Sequence, residues 1–96
     1  MMSVIAAEDL IQQKEGFLVS DMAGEKVMLS IENGKYYNLG KVGGRIWELM
    51  SQPVTINSLV GQLVTEYEIE YEVCEGQVHA FLDNLVAEGL IQVSKQ

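Results

Sequence analysis

The hydrophobic pattern changes period once along this chain, inside Gly34-Lys-Tyr-Tyr-Asn-Leu-Gly-Lys-Val-Gly-Gly-Arg-Ile-Trp47. Up to Leu39 the side chains alternate and are rich in Tyr, as in a half-buried strand whose successive residues point to opposite faces. From Val42 the apolar positions are Val42, Ile46, Leu49 and Met50, which share one helical face. The junction predicts a strand running straight into a helix. Such a layout leaves a sheet edge close to a helix surface, and such an edge can accept a peptide.

Upstream, Phe17 to Met22 is a short apolar segment ended by Asp21-Met-Ala-Gly24, whose Asp and Gly suit a tight turn. Val27, Leu29 and Ile31 then alternate with Lys26, Met28 and Ser30, the pattern of a strand with one buried face. Asn33-Gly34 is a hairpin signal, because both residues tolerate the positive φ of a type I′ turn. These segments predict a three-stranded antiparallel meander with Lys35 to Leu39 as its third strand and second edge. Tyr37 and Leu39 alternate toward the core, Lys35 sits in water, and Tyr36 and Asn38 point the other way, free to touch a guest.

Downstream, a first helix runs from about Lys41 to Met50. Its Gly43-Gly44 pair costs about 1 kcal/mol per Gly relative to Ala and implies close approach of another element. Trp47 reads as a core ring bracing helix to sheet. Pro53 breaks the helix and Thr55 caps a second one, with Ile56, Leu59, Val60, Leu63, Val64 and Tyr67 on its apolar face. A third helix spans about Val73 to Glu88. Val78, Leu82, Leu85 and Val86 form its buried stripe, and Cys74, Gln77, Phe81 and Asn84 a neighbouring one. Gly89 suits the C′ position, and Leu90 to Val93 reads as a closing strand or apolar tail. The fold class expected is α+β, winged helix-turn-helix-like, a three-stranded antiparallel sheet followed by a three-helix bundle. Residues 1–16 form an N-terminal extension in which Val4, Ile5, Leu10 and Ile11 make either an extra strand or a mobile end; residues 17–93 form the domain proper.

Composition narrows the class of function. The 96 residues, 48% of them apolar, suit one domain with a modest core. No apolar run approaches the roughly 20 residues of a membrane span. The beginning of the chain lacks a basic segment followed by an apolar one, so a cytoplasmic protein is expected. The single cysteine, Cys74, agrees with a reducing compartment. A net charge of −8 argues against nucleic acid and anionic membranes and favours a protein or peptide partner. The third helix carries Glu72, Glu75, Asp83 and Glu88 and no Lys or Arg, which disfavours a DNA-recognition role.

Candidate chemistry is sparse. Cys74 and His79 are five apart on one helix and point apart, so they make no nucleophile-base pair. Glu66, Glu68, Glu70, Glu72 and Glu75 crowd the link between the second and third helices, where a solvated acidic surface is the ordinary outcome and a metal site would want differently spaced ligands. No CxxC, GxGxxG or phosphate-loop motif occurs. No enzyme, metal or cofactor is expected.

The segments GEKVMLSIENGKYYNLGKVGGRIWELM and FLDNLVAEGLIQV, in that order, resemble the PqqD-like family, also called RiPP recognition elements; the resemblance covers roughly residues 17–93. Where the family usually carries Asn before the first helix, this chain has Gly40. The resemblance implies a non-catalytic domain that binds the leader of a ribosomally made precursor. The leader adds as an antiparallel strand to the third strand and packs against the third helix. On that basis Lys35, Tyr36, Tyr37, Asn38 and Leu39 supply the edge, and Cys74, Gln77, Val78 and Phe81 the facing wall. Within the family the chain looks most like stand-alone proteins of lasso peptide biosynthesis. Their partners would be a precursor leader, a leader peptidase of the cysteine-protease type and an asparagine-synthetase-like cyclase. Two alternatives stand beside it: presentation of the pyrroloquinoline quinone precursor to a radical SAM enzyme, and a winged-helix transcriptional regulator.

Overall fold

The computed structural model describes residues 5, 6 and 8–94, so Val4 lies outside the described residues. In chain order the elements are β1 (Leu10–Gln13), β2 (Phe17–Met22), β3 (Glu25–Ser30), β4 (Tyr36–Leu39), α1 (Gly40–Leu49), α2 (Ile56–Tyr67), α3 (Tyr71–Glu88) and β5 (Ile91–Ser94). The expected meander is present as an antiparallel sheet in the order β2-β3-β4, with three helices after it.

The N-terminal segment supplies an ordered strand. β1 pairs antiparallel with β5, and Ile11 also exchanges two main-chain hydrogen bonds with Val54, at 2.8 and 3.0 Å. Ile11 is fully buried. This small second sheet ties the two ends of the described chain to the loop between α1 and α2.

In β3 the alternation gives the period, and the structure supplies a phase opposite to the one suggested by Val27, Leu29 and Ile31. Met28 is 0% exposed and Ser30 is buried, whereas Ile31 is 64% exposed. Both faces of β3 carry apolar residues, so period alone cannot choose between them. Lys26 shares the inner face because its aliphatic stem lies against Gly44 while its ammonium reaches Asp21 at 2.7 Å and Glu48 at 3.0 Å.

The turn chemistry also differs from expectation. Asn33-Gly34 does not form a type I′ turn: only Gly34 has positive φ, and Ser30 N–H donates to Lys35 C=O at 2.9 Å across a four-residue loop. Asn33 instead accepts from Lys35 N–H through its side chain. The two-residue loop is Ala23-Gly24, between the paired residues Met22 and Glu25, with φ of +56° and +84°. An alanine in the left-handed region is strained by about 1 kcal/mol. Ala23→Asn is therefore expected to stabilise the fold by about 0.5–1 kcal/mol, read as a higher denaturation midpoint.

The helices follow the sequence reading closely. Thr55 Oγ1 accepts from Ser58 N–H at 3.2 Å and caps α2. Gly89 ends α3 at φ +76°. Trp47 is buried and meets Phe17 edge-on, ring centroids 6.1 Å apart. Gly40, the first residue of α1 and not its N-cap, has φ +73°, a conformation open to Gly and Asn but costly for most other residues. Asn38 Oδ1 accepts from Gly40 N–H at 2.9 Å, an Asx turn leading into α1, whose N-cap Leu39 has no side-chain cap.

Candidate functional site: an open strand edge beside an apolar groove

β4 is an edge of the three-stranded sheet, and its ladder to β3 decides what that edge offers. Hydrogen-bonded and non-hydrogen-bonded pairs alternate along an antiparallel ladder. The Ser30–Lys35 bond makes that pair hydrogen-bonded, so Met28–Tyr37 is the next such pair in the register. Tyr36 and Asn38 fall between them and turn their main-chain N–H and C=O toward the open side. Their side chains are exposed, Tyr36 at 73%, while Tyr37 and Leu39 pack against the core.

Beside this edge lies a groove of about 200 Å³. Leu39 of β4, Val42, Gly43 and Ile46 of α1, Leu63 and Tyr67 of α2, Ile69 between α2 and α3, and Cys74, Gln77, Val78 and Phe81 of α3 line it. No charged side chain is among them. Phe81 packs against α1 at a glycine: a Cβ on Gly43 would stand 2.9 Å from Phe81 Cζ. Leu39 and the four residues expected on α3 therefore share one groove. Lys35, Tyr36, Tyr37 and Asn38 do not line it; they run along the strand leading to it.

Two details depart from the expected helical stripes. Cys74 is only 2% exposed and joins Val78 in the core stripe of α3, and the same burial pushes its thiol pKa up. Tyr67 is partly exposed at the groove and not a core residue. Val42, Ile46, Leu63 and Ile69 complete the groove, and sequence reasoning did not gather them as site residues. Their signal was there in part: Val42 opens the apolar stripe of α1 yet is exposed in the structure, so the stripe extends past the core. His79 does not line the groove; its Nδ1 is buried and has no hydrogen-bond partner among the described residues.

A chain of ion pairs holds the helices beside the groove. Asp21, Lys26, Glu48, Arg45 and Glu66 connect in sequence, with Arg45 to Glu66 at 2.7 Å and Gln62 donating to Glu66 at 2.8 Å. The Arg45 guanidinium, then the Gln62 amide, hold the Glu66 carboxyl down to about 2, and Glu66 holds Arg45 above the usual guanidinium range. Glu66 is thus bound into structure and is not part of a free acidic run. A carboxylate depressed on folding contributes stability that is fully present above its unfolded pKa and lost as pH falls toward its folded one. Between pH 4.5 and 2 the wild-type urea midpoint is expected to fall more steeply than that of Glu66→Gln, the two curves converging near pH 2.

Fold and site together define a class: a small α+β domain whose open strand edge borders an uncharged apolar groove. The family described as Coenzyme PQQ synthesis protein D (PqqD) matches residues 25–91 of this sequence, and the chain belongs to that family. Among solved structures, TbiB1 in complex with the TbiA(beta) leader peptide is 25% identical, with a TM-score of 0.76 over 84% of this chain and 94% of its own. A lasso peptide synthetase B1 complexed with the leader peptide is 20% identical, with a TM-score of 0.75 over 85% and 96%. The PqqD truncation of Methylobacterium extorquens PqqCD, solved by NMR as a stand-alone RiPP recognition element, is 14% identical, with a TM-score of 0.79 over 94% and 96%. These last two speak to the fold alone. No curated protein sequence matches significantly.

Proposed function

We propose that this chain is a non-catalytic recognition element that binds the leader of a ribosomally made precursor peptide as an added antiparallel strand on β4. The observation that carries it is the juxtaposition of outward main-chain groups at Tyr36 and Asn38 with the uncharged groove under Leu39. Edge hydrogen bonds give attachment that any sequence can make, and the groove selects side chains. Lys35, Tyr36, Tyr37, Asn38 and Leu39 then form the edge, and Cys74, Gln77, Val78 and Phe81 the wall.

The TbiB1 structure, 25% identical, holds a leader peptide and supports leader binding; the lasso peptide setting rests on the resemblance of the sequence segments. In that setting the chain presents the leader to a peptidase of the cysteine-protease type and to an asparagine-synthetase-like cyclase. Holding the leader on a scaffold that also meets the peptidase raises the local concentration of the scissile bond without a new catalytic group. Presentation of the pyrroloquinoline quinone precursor to a radical SAM enzyme is the second reading, favoured by the family match. A cytoplasmic location belongs to the same proposal; no helix among the described residues is long and apolar enough to cross a membrane. The winged helix-turn-helix likeness is a proposal about shape alone, because α3 carries no Lys or Arg for nucleic acid.

Titration of the chain with synthetic leaders, followed by backbone amide shifts, tests this proposal. Saturable shifts concentrated in residues 35–39 and 74–81 are expected. Binding to no leader by an intact fold would overturn it.

A further inference from the structure

The outer face of the sheet is unusually apolar for a surface turned away from the helices. Cross-strand pairing places Leu18, Leu29 and Tyr36 side by side in one row and Ser20, Val27 and Asn38 in the next. In the first row Leu18 is 58% and Tyr36 73% exposed, and together with Val27 these side chains line a single shallow depression. The apolar row reaches the open edge of β4 without interruption. The second row ends differently, in Asn38, whose side-chain oxygen is engaged by Gly40 N–H.

We infer that a guest strand on β4 is read on both of its faces, not only on the groove side, and that Tyr36 sets the preference on the outer face. This inference rests on the proposed peptide-binding reading and adds the sequence class of the guest. Residues directly opposite each other in an antiparallel pair point to the same face. At Leu39 the backbone has already turned helical, φ −85° and ψ −12°, but its side chain lines the groove, so the guest residue beside it is placed at the groove. The next residue toward the guest C-terminus faces Asn38 and meets a polar surface. The one after that faces Tyr37 on the helix side. The fourth faces Tyr36 and extends the row Leu18, Leu29, Tyr36 by one more side chain. The guest class is thus a peptide carrying, from N- to C-terminus, an apolar, a polar, an apolar and a further apolar or aromatic residue. A guest alternating strictly between apolar and polar residues places a polar group on the outer row and binds less well.

Selection of randomised displayed peptides on the full chain tests this, with Tyr36→Ser as the comparison. Serine retains the outward N–H, and the exposure of Tyr36 leaves the fold indifferent to loss of the ring. The wild type is expected to enrich the apolar-polar-apolar-apolar order, and Tyr36→Ser to lose enrichment at the fourth position alone. For one selected peptide, changing that fourth residue to Ser is expected to weaken binding about three- to fivefold, the scale of a cross-strand pair. Tyr36→Ser alone is expected to weaken it equally, and the two changes together no further. Charged residues enriched at the fourth position, or effects that simply multiply, would overturn the inference while leaving edge binding intact. Failure of edge binding itself looks different: no peptide is enriched, or Tyr36→Pro leaves enrichment unchanged, and the inference then falls with it.

Discussion

Tyr36→Pro is expected to weaken leader binding tenfold or more while changing folding stability by no more than about 1 kcal/mol. The N–H that proline removes points to the open side of β4, so no bond of the β3–β4 ladder is lost. The guest loses a main-chain hydrogen bond and meets a pyrrolidine ring on the edge it must approach. Tyr37→Pro provides the contrast. Its N–H belongs to the Met28–Tyr37 pair, so the same substitution one residue on removes an internal bond and unsettles the strand. Isothermal titration with a leader, paired with urea unfolding of both variants, separates the two effects. Equal affinity for the wild type and Tyr36→Pro would move the site away from this edge.

Two adjacent glycines give the second large contrast. A Cβ on Gly43 would stand 2.9 Å from Phe81 Cζ, the far end of a partly exposed ring that can swing aside into the groove. Gly43→Ala is expected to keep the fold, because better helix propensity of about 1 kcal/mol offsets the displaced ring. The same ring then occupies the groove proposed for the guest, so affinity is expected to fall tenfold or more. A Cβ on Gly44 would stand 2.6 Å from Lys26 Cγ and 2.8 Å from Lys26 Cβ, atoms held close to the β3 backbone. Those cannot swing away. Gly44→Ala is expected to destabilise by about 1–3 kcal/mol and to leave the groove unfilled. Unfolding and binding curves for both variants check the pair, and binding unaffected by Gly43→Ala would remove the groove from the site.

The elements were legible because period and punctuation agreed: the Tyr-rich alternation before Leu39, the stripe from Val42, Thr55 as a cap and Gly89 as a stop all find their expected places. What the sequence withheld depends on tertiary context. The phase of β3 was hidden by apolar residues on both faces, and it was settled by ion pairs that let Lys26 turn inward. Asn33-Gly34 carries the stronger hairpin signal, yet the tight turn falls at Ala23-Gly24, because strand pairing there overrides the strain of a left-handed alanine. For residues 1–16 the pattern leaves an extra strand and a mobile end equally open, because the partners that make β1 a strand, β5 and Val54, are distant in sequence. On α3, Cys74, Gln77, Val78 and Phe81 could be gathered by helical spacing. Val42, Ile46, Leu63 and Ile69 come from three other segments, and only packing brings them to one groove.

The most direct test of strand addition is an isotope-filtered NOE measurement on the chain bound to an unlabelled leader. With Tyr36 and Asn38 bonding outward, Tyr37 forms a non-hydrogen-bonded pair with the guest, the geometry in which α-protons of opposed strands face each other. The account predicts a strong cross-peak between the Tyr37 Hα and a guest Hα, together with slowed exchange of the Tyr36 and Asn38 amides. A saturated complex in which that cross-peak is absent and both amides exchange as freely as in the free chain would contradict it.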